Sequence, residues 1–307
     1  MTLPAVDSGE DRRVGPARSL APDERQASGH FAGGGFALMS VRGAVRELNE
    51  DRAVVMVPSS TGAAPPPLFV VADGLGGHQA GEVAAQLAVT TASQHFPQAT
   101  GQARQALRAA FRQAALAVYD ASFEPGRSGM ATTLTAATMA GGELIVAHLG
   151  DSRCYLWRDG EVEQLTTDHS QVAEMVRLGL LTPEQAAHHP GRSILTRCLG
   201  TSPGPPPELV RRALRPRDRV LLCSDGLWGS VDRAEVAEAL ARRTPPAAAD
   251  PGSLASRLVG VVSSLVERAL RRGAPDNVTV VALEVEDGCP WLEGGPPARR
   301  RWLFGRG

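Results

Sequence analysis

Four short apolar runs in this chain each meet an aspartate at one end. LFVVAD closes on Asp73, LIVAHLGD on Asp151 and VLLCSD on Asp225, while Asp276 opens DNVTVVALEV. Continuous Val- and Leu-rich runs of this length read as buried strands. If they lie side by side, and the one that begins on its aspartate runs antiparallel to the rest, four carboxylates gather at one edge. Four anions share a small site only when protonated or neutralised by cations. Oxygen ligands without an accompanying His or Cys favour Mg²⁺ or Mn²⁺ over zinc. A divalent-metal site is the first chemical expectation.

The spacing of other apolar residues supplies the frame. Leu107, Phe111, Ala114 and Val118 form one helical stripe, and Leu254, Leu258, Val261 and Leu265 form another. A third helix is expected from Glu82 to about His95, with Val83 and Leu87 on one face. Thr182, Pro183 and Gln185 make a capping-box start. Tyr155 to Arg158 and Glu161 to Leu165 flank Asp159-Gly160, a two-residue hairpin turn. Helices and strands cluster rather than alternate, which disfavours a doubly wound parallel sheet. The fold class expected is α+β, with antiparallel sheets covered by helices. The Pro-rich breaks AAPPP, PGPPP and TPPAAADPG are short, so residues 31–286 read as one domain. Residues 1–30 read as a disordered leader and 287–307, ending in ARRRWLFGRG, as a flexible basic and aromatic tail.

Composition excludes several classes. The net charge is −1, so no global field recruits nucleic acid or an anionic membrane. No run approaches the ~20 apolar residues of a membrane span. The N-terminus has no apolar signal core. Cys154, Cys198, Cys223 and Cys289 include no CxxC pair, which speaks against structural zinc and for a reduced, cytoplasmic setting. Every basic residue counted with Lys is arginine, and the only asparagines are Asn49 and Asn277, both beside acidic residues. Two survivors of such a bias in the same setting suggest positions that resist replacement.

Asp-Gly after a strand is mostly turn chemistry, and Asp159-Gly160 is such a case. Asp73 differs because GLGGHQAGE follows it, and its four glycines let backbone approach a ligand before a helix begins. Asp225 differs because it ends a wholly apolar run, where an unpaired charge is costly. Upstream, VRELNEDR carries Arg46, Glu50 and Asp51. Glu50 and Asp51 point to opposite faces if extended, so they cannot both touch one ion. Arg46 offers a planar fork for phosphate.

Taken together and in order, these motifs closely resemble the metal-dependent serine/threonine protein phosphatases of type 2C, the PPM family, in its bacterial form. The matching stretches are Arg46 with NED, ADGLGGHQAGE, SGMATTLTAA, HLGDSRCYLWRDG, CSDGLWG and GAPDNVTVV. The resemblance implies a four-layer α-β-β-α sandwich with two central antiparallel sheets. It implies two Mn²⁺ or Mg²⁺ ions, with Asp73 bridging them, the Gly74 carbonyl on one, and Asp225 and Asp276 on the other. Glu50, Asp51 and Asp151 would act through water, and Arg46 would hold the substrate phosphate. Animal members carry a histidine directly after the Asp-Gly pair as leaving-group acid; here that position is Leu75, and His78 is the candidate instead. A third ion is in doubt, because Gly229 stands where some relatives have an acid and FEPGR offers only Glu124. The segment Gln171 to Thr201 corresponds to the flap beside the family's active site, where Arg192, Arg197, His188 and His189 are candidates to meet a phosphopeptide. The implied activity is hydrolysis of phosphoserine and phosphothreonine in proteins, opposing a bacterial Ser/Thr kinase, by a monomer. A non-catalytic regulator of the same fold would be expected to lack one of Asp73, Asp225 and Asp276, and all three are present.

Overall fold

The computed structural model describes residues 18–19, 26–58, 65–76, 80–97, 102–241 and 251–292. Two six-stranded antiparallel sheets lie face to face. The first runs in the order β1 (Arg18–Ser19), β4 (Arg52–Met56), β5 (Leu68–Ala72), β8 (Leu134–Ala140), β9 (Glu143–Leu149), β12 (Glu208–Ala213). The second runs β11 (Glu161–Gln164), β10 (Arg153–Arg158), β13 (Arg219–Cys223), β14 (Val278–Val285), β3 (Gly34–Val41), β2 (Gln26–Phe31). A short ribbon joins β6 (Gly74–Leu75) to β7 (Ala131–Thr132).

The period-2 alternation of each strand sorts its residues between layers. In β5, Leu68, Val70 and Ala72 face outward onto α1 (Ala80–His95) and α2 (Ala103–Ala121). Phe69 and Val71 face inward and meet Leu38, Val281 and Leu283 of the second sheet. Phe69 also takes the edges of Phe31 and Phe36, at centroid distances of 5.8 and 6.5 Å. The outer face of the second sheet, including Ala37, Tyr155 and Leu221, packs on α6 (Arg233–Ala241) and α7 (Pro251–Arg271). Helix, sheet, sheet and helix therefore form the four expected layers. Two small helices, α3 (Gln171–Arg177) and α4 (Pro183–Ala187), sit between β11 and β12 in the chain. Thr182 and Gln185 cap α4 reciprocally, as their spacing predicts.

Several expectations need correction. The four aspartate-bearing strands do not share one sheet: β5 and β9 lie in the first, with β8 between them, and β13 and β14 are neighbours in the second. In the helix expected from Glu82, Val83 and Leu87 are only partly buried, while Ala84, Ala85, Ala88 and Ala92 make the fully covered face. Methyl side chains let α1 lie close against α2, a packing choice that hydrophobic periodicity does not weigh heavily.

Described residues also lie within the stretches read as leader and tail. Within the stretch read as a leader, Arg18–Ser19 pairs with β4 and Gln26–Phe31 pairs with β3, turning at Ala32 and Gly33. Gly33 has φ +86°, which favours glycine at that turn. Ladder hydrogen bonds hold an edge strand of this kind, and composition does not register them. At the other end Cys289 is fully buried, and Gly142 N–H donates to the Trp291 carbonyl at 2.9 Å. Cys289 lies directly over Gly33, where an added Cβ would come within 2.4 Å of it. The described residues run through Leu292, and the ARRRWLFGRG segment lies outside them. A chain ended at Glu286 is expected to lose about 2–5 kcal/mol relative to one ended at Leu292, through lost burial of Cys289, Trp291 and Leu292. Urea midpoints of the two chains check this.

Candidate metal centre

Asp73 leaves β5 at the edge of the sandwich. Its N–H donates to Thr133 Oγ1 at 2.9 Å, and its carbonyl accepts from Thr132 Oγ1 and from the Thr133 N–H, each at 2.9 Å. These bonds fix the direction in which the side chain leaves the strand. Gly74 follows in a space that admits no side chain: a Cβ there would lie 2.3 Å from the Gly81 carbonyl oxygen and 2.7 Å from that of Glu50. The glycine-rich sequence therefore serves close backbone approach between β6, α1 and the Glu50 loop.

Asp225 is the first residue of α5 (Asp225–Trp228). Its Oδ1 is buried and has no hydrogen-bond partner. Such an oxygen is costly unless a proton or cation meets it. The preceding Ser224 donates to Asp51 Oδ2 at 2.6 Å, joining the start of β4 to the end of β13. Asp276 uses Oδ1 to accept its neighbour's N–H at 2.8 Å and Oδ2 to accept from Arg46 Nη2 at 2.6 Å. Glu50 Oε2 lies 3.9 Å from Arg46 Nη1. Arg46 is itself half exposed, with Asp276 on one side and Glu50 on the other.

The two asparagines lock this arrangement. Asn277 accepts from the Glu50 N–H at 2.9 Å and donates to the Arg42 and Leu48 carbonyls, both at 2.8 Å. One side chain thus clasps three points of the loop that carries Arg46. Asn49 donates to Ser40 Oγ at 2.8 Å and accepts from the Asp51 N–H at 3.2 Å. Their hints in the sequence were rarity, acidic neighbours and a place in the motifs NED and GAPDNVTVV.

Other supports were not singled out at all. Buried Arg52 donates to the Asn49 and Asp51 carbonyls at 2.8 and 2.7 Å and pairs with Glu82 at the start of α1. A fully buried arginine needs all its donors met, and this one ties strand, loop and helix together. Trp228 Nε1 donates to the Asp151 carbonyl at 2.9 Å. The Arg153 guanidinium lies 3.8 Å over the Trp228 ring and is held by both oxygens of Asp168. On the other side of the same turn, Gly150 N–H donates to His169 Nδ1 at 3.1 Å, and His169 stacks on buried His148.

The electrostatics follow from burial and crowding. Burial, opposed by the Ser224 hydrogen bond and reinforced by Asp225 and Asp276, pushes Asp51 up to about 7. Burial with Asp225 nearby pushes Asp151 up to about 8. Burial and Asp276 push Asp225 up to about 6, although its side chain shares a hydrogen bond with Asp73. Asp73, buried among Asp51, Asp225, Asp151 and Asp276, is raised well above the usual carboxylate range. The charges are close enough to act on one another. Even so, among the described residues no three acidic, histidine or cysteine side chains converge as a finished shell around one point. Asp276 is turned to Arg46 and Asp73 to Asp225. The donor set is nonetheless the kind hard divalent cations take: oxygen only, crowded with negative charge, and including the unpartnered Asp225 Oδ1.

A family profile described as protein phosphatase 2C matches residues 47–263. The chain belongs to the protein phosphatase 2C family. It is 42% identical over 255 residues to the serine/threonine protein phosphatase PstP of Mycobacterium tuberculosis, covering 82% of this chain and 45% of that protein. It therefore spans under half the length of that relative. It is 34% identical over 250 residues to the serine/threonine phosphatase stp of Listeria innocua, covering 79% of this chain and 92% of that one. The PstP catalytic domain, solved in complex with two manganese ions, superposes with a TM-score of 0.68 at 39% identity, covering 82% of this chain and 98% of that one.

Within this family member, a cleft of about 760 Å³ opens above the carboxylates, and Arg46, Asp151, Asp225 and Asp276 line it. Asp73 and Asp51 lie deeper, both buried. His78 lies outside the described residues. Gly229 donates its N–H to the Asp225 carbonyl at 2.7 Å, and Glu124 pairs with Arg127 on the surface at 2.6 Å.

A carboxyl whose folded pKa exceeds its unfolded value keeps its proton longer in the native state. Its contribution to stability is present below the unfolded value and is lost as pH rises through the folded one. For Asp51 that window runs from 3.8 to about 7. In chelator, Asp51→Asn is expected to gain stability over wild type as pH rises across this window, by roughly 1–3 kcal/mol. Denaturant midpoints at pH 5 and pH 8 measure the gap, and a gap that narrows refutes the assignment.

Proposed function

We propose that this protein hydrolyses phosphoserine and phosphothreonine in proteins, in opposition to a bacterial Ser/Thr kinase. The observation that carries the reading is the placement of half-exposed Arg46 at the mouth of a cleft floored by crowded carboxylates. Family membership and the names of the PstP and stp relatives support it.

In this reading Asp73, the Gly74 carbonyl, Asp225 and Asp276 would hold two Mn²⁺ or Mg²⁺ ions. When bound, such a pair supplies Lewis acidity that activates water and neutralises charge on a transferring phosphoryl group. The chain's own task is positioning, which dominates phosphoryl transfer. Arg46 presents its planar fork to the phosphate, and its present bond to Asp276 is the contact a phosphate and cation together would replace. Glu50, on the other side of the guanidinium, keeps the fork over the cleft. Asp51 and Asp151 would act through water, each anchored by a neighbour: the Ser224 hydroxyl on the Asp51 carboxylate, and the Trp228 indole on the Asp151 carbonyl. His78 remains the candidate to protonate the leaving alkoxide, alongside water.

Four buried free cysteines fit a reducing cytoplasmic compartment, and no described helix is long and apolar enough to cross a membrane. Phosphate release from a phosphothreonine peptide should require Mn²⁺ or Mg²⁺ and stop on chelation. Asp225→Asn is expected to lower turnover by more than the ~10–100-fold typical of an outer partner of a metal site. Arg46→Ala is expected to lower kcat/KM by about 10–100-fold, the worth of a hydrogen bond to a charged group. Metal-independent hydrolysis, or near-normal turnover in Asp225→Asn, overturns the proposal.

A further inference from the structure

Asp151 lines the cleft from a tight turn between β9 and β10, and that turn is bonded on both flanks. Gly150 precedes it with φ +112°, and a Cβ there would lie 2.5 Å from Thr133 Cγ2. Only glycine fits so close to the threonine that also accepts the Asp73 N–H. Ser152 follows Asp151 and shares a 2.7 Å hydrogen bond with the same Thr133 hydroxyl. His169 grips Gly150 twice. Its N–H donates to the Gly150 carbonyl at 2.8 Å, and its Nδ1 accepts the Gly150 N–H at 3.1 Å. The direction of that second bond fixes the ring proton: a backbone N–H only donates, so Nδ1 presents its lone pair and Nε2 carries the hydrogen. Nε2 faces Glu208 Oε2 at 3.2 Å, an acceptor for it. Arg197 Nη1 also comes within 2.9 Å of Nε2, but Arg197 has the Pro206 carbonyl as acceptor, whereas the Gly150 N–H is enclosed in a buried turn. His148 stacks on the ring with centroids 4.8 Å apart and donates from Nε2 to the Thr167 carbonyl at 3.2 Å. Burial, with His169 nearby, pushes His148 down to about 3, so it stays neutral and keeps this orientation.

We infer that His169 is a positioning residue for Asp151, acting through one atom: the Nδ1 lone pair holds the Gly150 N–H and thereby the angle at which the Asp151 carboxylate meets the cleft. The inference rests on the phosphatase reading, in which Asp151 acts through water, and adds a residue that works only through another. His169 itself does not line the cleft, although Asp168 and Ser170 on either side of it do. A buried N–H left without its acceptor is costly, so loss of Nδ1 would shift the turn until the Gly150 N–H found another. A group that works by orientation loses much of its effect when displaced by about 1 Å. The phosphate is held elsewhere, at Arg46, so the loss falls on kcat more than on KM.

Two amide substitutions separate the ring nitrogens. An asparagine oxygen reaches the place of Nδ1, whereas the amide of a glutamine reaches that of Nε2. His169→Asn therefore keeps an acceptor for Gly150 and His169→Gln does not, although glutamine is nearer to histidine in size. The readouts are kcat and KM on p-nitrophenyl phosphate in Mn²⁺ buffer, and exchange of the Gly150 amide proton followed by NMR in metal-free protein. His169→Asn should stay near wild type, and His169→Gln should lose about tenfold or more in kcat with KM little changed. Gly150 should exchange about tenfold or more faster in His169→Gln than in His169→Asn. In an Asp151→Asn background the two substitutions should turn over equally. Glutamine turning over as well as asparagine overturns the inference, as does equal exchange at Gly150. A gap that persists in full without the Asp151 carboxylate overturns it too, and so does loss of the fold in both variants. Absence of metal-dependent turnover in wild type overturns the phosphatase reading, while the exchange comparison still decides whether Nδ1 holds the turn.

Discussion

Crowding of like charge at one edge of the β-sandwich is the constraint around which the rest of this molecule is arranged. Asp51, Asp73 and Asp151 are buried, and Asp225 and Asp276 stand close enough to raise their neighbours' pKa values. A folded chain tolerates such a cluster only by protonation or by bringing in positive charge. Here Arg46 meets Asp276, and the buried carboxyls hold their protons to unusually high pH. Both are ways of standing in for cations.

Holding mutually repelling groups together requires a stiff frame, and the frame is made of neutral hydrogen bonds. Asn277 clasps the Arg46 loop at three backbone points, Ser224 reaches from the end of β13 to Asp51, and Thr132 and Thr133 fix both sides of the Asp73 peptide. Neutral donors and acceptors add no net charge to a site already overloaded with it. Where charge is used structurally, as at Arg52, it is buried against carbonyls and one glutamate of α1, so that the helix is tied to the same edge. Geometry of this kind supports catalysis by positioning.

Much of the site was legible because strand and aspartate were contiguous in the chain. LFVVAD, VLLCSD and DNVTVV each announce a buried strand and the carboxylate at its end, and each lies where the pattern predicts. The Asp159-Gly160 hairpin and the Thr182 cap were equally readable, since both depend on residues a few positions apart. The ends of the domain were not readable. Gln26–Phe31 has little apolar content and is held by its ladder with β3, and Cys289 becomes core only because Gly33 leaves room beneath it. The orientation of the basic residues in the helical insert was not readable either: Arg197 reaches outside the insert to His169 and the Pro206 carbonyl, His189 accepts the Gly191 N–H, and Arg192 lines the cleft.

The sequence by itself determined which carboxylates exist, which strands they terminate, and that oxygen-rich, histidine-poor chemistry would surround them, because these are properties of short stretches. Only the tertiary structure decided that those strands divide between two sheets, that Arg46 faces Asp276, and that Asn277, Trp228 and Arg52 are the residues holding the site in shape. Those contacts join positions as far as 235 residues apart in the chain, as Arg42 and Asn277 are. No local pattern encodes such a pairing; it follows from how the layers pack.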